Sequence, residues 1–263
     1  MIVDPVFYAV AVPALLVTGI SKGGFGAGLG IVATPALTLV VPPLTAVGIL
    51  LPLLCFMDLF GVWNYRRVWS RRLMKVLVPG AVAGILVATL TAEYVSEQMI
   101  RLMVGMIAVL FSLNHWCTPI LRRWLAGGDD RATQADGPAA ENTAKGLFWS
   151  AMAGFTSFVG HAGGPPLQVY LLPLRLDKSV FVGTTVIFFM AVNYVKLVPY
   201  AWLGLLNTEN LLTALVLAPV CPVAMRLGIW LHARVPERPF YILCYLFVFI
   251  VGCKLLADGF GLG

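Results

Sequence analysis

The chain has 263 residues, of which 60% are hydrophobic and 11% charged, against roughly 45–50% and about 25% in ordinary soluble domains. No single soluble core hides that much apolar surface, whereas a lipid bilayer does. The formal net charge of +6 then points to loops facing anionic lipid and not to nucleic acid.

In chain order, apolar runs cover Val6–Ile20, Ile31–Met57, Val76–Leu90, Ile100–Leu113, Leu147–Phe158, Val180–Leu197, Leu211–Val223 and Phe240–Leu256. With flanking small residues, each approaches or exceeds the ~20 residues that cross a bilayer as a helix. Alternating strands of barrel type are absent, so the spans read as helices. The start, MIVDPVFYAV, lacks a basic region and a small-residue cleavage site, so the first segment is expected to stay in the membrane. The five cysteines show no metal-ligand spacing and fall mostly in apolar runs, where they read as small buried side chains.

The strongly polar stretch GGDDRATQADGPAAENTAK, residues 127–145, reads as a solvated linker. The expected organisation is a first repeat over 1–121, a cytoplasmic linker over 122–145 and a second repeat over 146–263. At an offset of about 135 residues Gly19 meets Gly154, Gly28 meets Gly163, Gly48 meets Gly183, Asp58 meets Asn193 and Tyr65 meets Tyr200. Internal symmetry of this kind marks repeat-built transporters.

Charge orients the halves. Four plain spans per half would put Arg66, Arg67, Arg71, Arg72 and Lys75 opposite Arg175, Lys178, Arg234 and Arg238, against the positive-inside rule. The first segment of each half is cut, by SKGGFGAGLG and by SFVGHAGGPP. If each is a re-entrant pair of half-helices, three full spans follow it, the halves have opposite topology, and these basic loops share one face. The expectation is therefore an all-α membrane protein of about eight segments in two inverted repeats, both termini outside. The competing reading makes the two breaks kinks in long tilted helices.

Non-helical backbone at membrane depth survives where it is buried in protein or lines a wet cavity. Each break leads into a half-helix whose N-terminus carries a positive dipole end suited to an anion; tight packing through small residues is the plainer reading. The candidate substrate-binding residues are Ser21, Lys22, Gly23, Gly24, Gly28, Thr156, Ser157, His161, Gly163, Gly164 and Gln168. Lys22 would neutralise an anion, or pair with Asp58. His161 would orient substrate, carry a proton, or be a packed, satisfied histidine. Asp58, Asn193 and Lys196 are candidates for coupling or polar lining, and Asn64, Thr184, Thr185 and Tyr200 would extend that lining. No phosphate loop, zinc-protease pattern or nucleophile elbow is present, so no catalytic residue, metal or cofactor is expected.

The stretch GISKGGFGAGLGIVATPALTLVVPPLTAVGILLPLLCFMDLFGVWNYRRVW and its counterpart GFTSFVGHAGGPPLQVYLLP, followed by GTTVIFFMAVNYVKL, resemble the paired glycine-rich motifs of the sulfite exporter TauE/SafE family. The resemblance spans nearly the whole chain outside the linker. It implies an inner-membrane permease for small anions such as sulfite or organosulfonates, built from a duplicated helical unit and driven by an ion gradient; the two glycine-broken hairpins read as alternating access. The partners implied are a small anion, the bilayer and a coupling ion, with the proton as candidate. A homo-oligomer is left open. An anion channel and a membrane-embedded enzyme or assembly factor are the alternatives.

Overall fold

A computed structural model describes residues 1–26, 33–91, 97–125 and 140–261, without the side chains of 97, 100 and 118–125. Most of the expected linker therefore lies outside the described residues, as does Gly28. Among the described residues the regular structure is helical: α1 (Pro5–Gly24), α2 (Ala33–Thr38), α3 (Pro43–Tyr65), α4 (Arg71–Thr91), α5 (Glu97–Leu125), α6 (Thr143–Gly160), α7 (Gly164–Leu171), α8 (Lys178–Trp202), α9 (Thr208–Leu217), α10 (Val220–Arg234) and α11 (Glu237–Gly259). Helices α1, α3, α4, α8 and α11 are long and apolar enough to cross a membrane. Helices α9 and α10 make a sixth crossing if counted as one span bent by 49°. The chain is thus an all-α polytopic membrane protein.

Local chemistry sets the helix starts. Asp4 caps α1 by accepting from Val6 N, and Pro5 occupies the first turn, where a missing N–H costs nothing. Asn142 caps α6 and Asp177 caps α8 in the same way. Without a hydrophobic drive between lipid-facing helices, close packing through small residues holds the bundle together. A Cβ on Gly84 would lie 1.9 Å from Ala151 O, and one on Gly154 would lie 2.2 Å from Ala81 O, so α4 and α6 touch backbone to backbone. Helices α1 and α10 meet alike, where a Cβ on Gly24 would lie 2.6 Å from Gly228 O. Each contact joins the first half to the second.

The second break is a hairpin. His161 adopts a left-handed conformation (φ 54°) at the end of α6, and Ala162 N closes the turn onto Thr156 O. A Cβ on Gly163 would meet Ala153 O, and one on Gly146 would meet the Tyr170 ring. Helix α7 therefore runs back along α6, which excludes a simple kink there. In the first half Gly26 (φ 72°) holds the position equivalent to His161. Beyond residues 27–32, Ala33 and Leu37 of α2 share one buried cluster with Phe7, Ala11 and Leu15 of α1.

The basic loops gather on one face. Arg72 pairs with Glu141, Ser70 N donates to Thr184 Oγ1, and Lys178 donates to the carbonyls of His232 and Val235. On the opposite face the N-terminal amine pairs with Glu209, Ile2 N donates to Thr213 Oγ1, and Gln98 donates to Gly259 O. The segment joining α8 to α9 thus sits beside the N-terminus, away from the loops around Arg72 and Lys178.

Candidate functional site

Two hydrogen bonds frame the site. Tyr65 at the end of α3 donates to Gly23 O at 2.8 Å, and Tyr200 near the end of α8 donates to Phe158 O at 2.5 Å, each across 42 residues of chain. They clamp the tips of α1 and α6 against α3 and α8, and the two clamps correspond at the repeat offset. Between them Asn193 Nδ2 donates to Asp58 Oδ2 at 2.8 Å, joining residues 135 apart. Two equivalent positions thus touch directly.

Around that contact lie the ionisable groups. Lys22 Nζ sits 2.8 Å from Asp58 Oδ1 and 3.4 Å from Leu54 O. Both side chains of the pair are buried, and Lys22 takes the pairing with Asp58 that the sequence offered. Lys196 is fully buried and donates to Ser157 O (3.0 Å), Ser157 Oγ (3.0 Å) and His161 Nδ1 (2.9 Å). His161 Nε2 lies 3.2 Å from Val47 O. A carbonyl only accepts, so Nε2 carries the proton and Nδ1 offers its lone pair to Lys196; both ring nitrogens are occupied. Gln168 Nε2 donates to Gly26 O at 3.1 Å and ties α7 to the first break, while its buried Oε1 has no partner among the described residues.

A cavity of about 30 Å³ opens at the centre of these groups, lined by Thr18, Lys22, Leu54, Ser157, His161, Gly164, Phe189 and Asn193. Five candidates chosen from the sequence, Lys22, Ser157, His161, Gly164 and Asn193, share this wall. Asp58 and Lys196 stand one contact behind it. Other candidates do different work. Gly23 and Gly24 face α10, where a Cβ would strike Met225 O or Gly228 O, and Gly24 O accepts from His232 Nδ1. Gly163 packs on α6. Thr156 turns its hydroxyl to Met152 O and Ala162 O, which closes the hairpin. Ser21 is buried on α1, and its carbonyl accepts from Phe25 N. Thr184, Thr185 and Tyr200 hold backbone groups, and Asn64 lines a groove with Arg226 and Trp230.

Of the α7 residues Gly164, Pro165 and Pro166, only the glycine carries an N–H. The dipole end of this half-helix is therefore poor in donors, and side chains supply most of the polar wall. Sequence reasoning missed Thr18, Leu54 and Phe189. Each lies one helical turn before a residue it did choose: Lys22, Asp58 and Asn193. The i, i+4 relation that puts such pairs on one face was the signal available.

Apolar spans thus enclose a small cavity contacted by both halves, with Lys22 in its wall and Lys196 behind it. Fold and site define a multi-pass membrane protein with buried polar groups at its centre. The chain belongs to the sulfite exporter TauE/SafE family, whose model matches residues 11–255. Comparison with curated proteins and with solved structures gives no match.

Proposed function

We propose that the protein is a secondary transporter that moves sulfite or an organosulfonate across the plasma membrane by alternating access. The observation that carries this reading is the cavity where Lys22, Ser157, His161, Gly164 and Asn193 converge from both halves. At about 30 Å³ it has room for roughly two waters. An organosulfonate is larger, so binding requires α1, α3, α6 and α8 to part, the motion an alternating-access carrier makes.

In this reading the halves are inverted repeats, each with one re-entrant hairpin and three full spans, divided by the 122–145 linker. The arginine-rich face is cytoplasmic and both termini are outside. Asp58 and Asn193, equivalent residues in contact, then sit at the pseudo-twofold axis and mid-depth. Lys22 and Ser157 hold the anion, Asn193 orients it, His161 fixes Lys196 behind Ser157, and a proton is the coupling ion.

Lys22 keeps one N–H beyond its contacts to Asp58 and Leu54, and Ser157 keeps its hydroxyl hydrogen while accepting from Lys196. Both residues line the cavity, so both supply donors to it. In proteoliposomes, sulfite uptake is expected to saturate, to follow an imposed proton gradient and to show countertransport. Lys22→Met is expected to lower initial uptake by about tenfold or more. Unsaturable flux would establish a pore, and product formation without flux an enzyme.

A further inference from the structure

The buried charges beside the cavity do not cancel. Lys22 is matched by Asp58 at 2.8 Å. Among the described residues no carboxylate lies within ion-pair distance of Lys196, and Asp58 is the buried acid beside the cavity; the buried carboxyl of Asp258 pairs with Lys254 instead. The neighbours of Lys196 are nevertheless three acceptors: a carbonyl, a hydroxyl oxygen and the lone-pair nitrogen of His161. Three acceptors fit the three N–H bonds of an ammonium. His161, with Nε2–H held by Val47 O, is the uncharged tautomer. Two ammonium groups against one carboxylate leave one uncompensated positive charge in the interior.

A buried charge at membrane depth is costly until something neutralises it. The Ser157 hydroxyl connects that charge to the cavity, since it accepts from Lys196 and has its own hydrogen to give. A donor polarised by an ammonium behind it is a strengthened anion donor.

We infer that this site takes a singly charged anion, bisulfite or a sulfonate in preference to the sulfite dianion or sulfate, with Lys196 acting through Ser157 as the charge that its ligand neutralises. The inference rests on the anion-transport reading above and narrows it. A monoanion brings the buried cluster to neutrality; a dianion of the same shape would exchange one unpaired charge for another of opposite sign.

Methanesulfonate and sulfate make the test, because they are nearly isosteric tetrahedra that differ by one charge. Binding of each to the purified full-length protein is measured by thermal shift and calorimetry, and flux of each in proteoliposomes. The wild type is expected to bind methanesulfonate at least about tenfold more tightly than sulfate. Lys196→Gln is expected to remove that binding and Lys196→Arg to retain it, while Asp58→Asn, which adds a net positive charge, narrows or reverses the preference. Equal or tighter sulfate binding by the wild type overturns the inference, as does methanesulfonate binding unchanged in a folded Lys196→Gln protein. If Lys196→Gln fails to fold, the wild-type ratio and the Asp58→Asn shift decide alone. Binding that obeys the charge rule without flux sinks the transport reading and leaves the inference standing. Absence of binding by both anions sinks both.

Discussion

The two halves of the molecule share a skeleton and differ in chemistry at its centre. Tyr65 clamps Gly23 as Tyr200 clamps Phe158, and Gly26 turns left-handed where His161 does. Gly48 admits the Leu205 carbonyl from the other half, and Gly183 admits that of Val68. Around this frame the side chains diverge. Ser157 stands where Lys22 stands, Asn193 where Asp58 stands, and Lys196 where Gly61 stands. The first half carries a closed ion pair; the second carries a buried lysine held by uncharged acceptors. Equivalent positions bring these groups together, and the departure from symmetry leaves Lys196 behind the cavity with no acid beside it.

The comparison can be broken experimentally, most severely at the ion pair. Asp58→Ala leaves Lys22 buried and unpaired, and truncating one partner of such a pair is expected to cost about 3–5 kcal/mol. Replacing both, Lys22→Met with Asp58→Asn, is expected to recover much of that loss. Equilibrium unfolding in mixed micelles reads both numbers, and an Asp58→Ala cost no larger than that of the double variant would show that the pair is not coupled.

A smaller effect is expected at the backbone contacts between halves. A Cβ at Gly84 or Gly183 would come within 1.9 Å of a carbonyl oxygen, whereas one at Gly160 would meet nothing within 4 Å. Gly84→Ala and Gly183→Ala are expected to destabilise by about 1–3 kcal/mol through overpacking, and Gly160→Ala to stay within about 0.5 kcal/mol of the wild type. Similar unfolding midpoints for the three would mean that the halves do not touch as closely as described.

The smallest expected effect is the most direct test of equivalence. Tyr65→Phe and Tyr200→Phe each remove one buried hydrogen bond, worth about 1 kcal/mol. Matching losses in the same unfolding assay are expected; a silent variant beside a damaging one would show that one clamp alone holds its hairpin.

Much of this was legible in the residues. Long apolar runs required helices in a membrane, because an exposed backbone finds no partner in hydrocarbon. The distribution of arginines assigned the loops around Arg72, Lys178 and Arg234 to one face and the segment before α9 to the other. In the structure Ser70 bonds Thr184, Lys178 bonds the end of α10, and the N-terminus pairs with Glu209. Lys22, Asp58 and Lys196 stood out as ionisable residues in apolar runs, where charge is too costly to be incidental. Thr18, Leu54 and Phe189 carried no such mark, since a threonine or an apolar residue in a membrane helix is ordinary wherever it points.

The sequence by itself therefore determined that the chain is a bundle of apolar helices, where two of them break, and which few charges lie inside. Those properties follow from composition and from the short-range geometry of glycine, proline and helix caps. Tertiary structure alone decided that Lys22 finds Asp58 across 36 residues of chain, that α7 folds back on α6, and that Lys196 lies among acceptors with no acid beside it. The helical period states which residues share a face, but which faces meet is settled by packing between segments far apart in the chain.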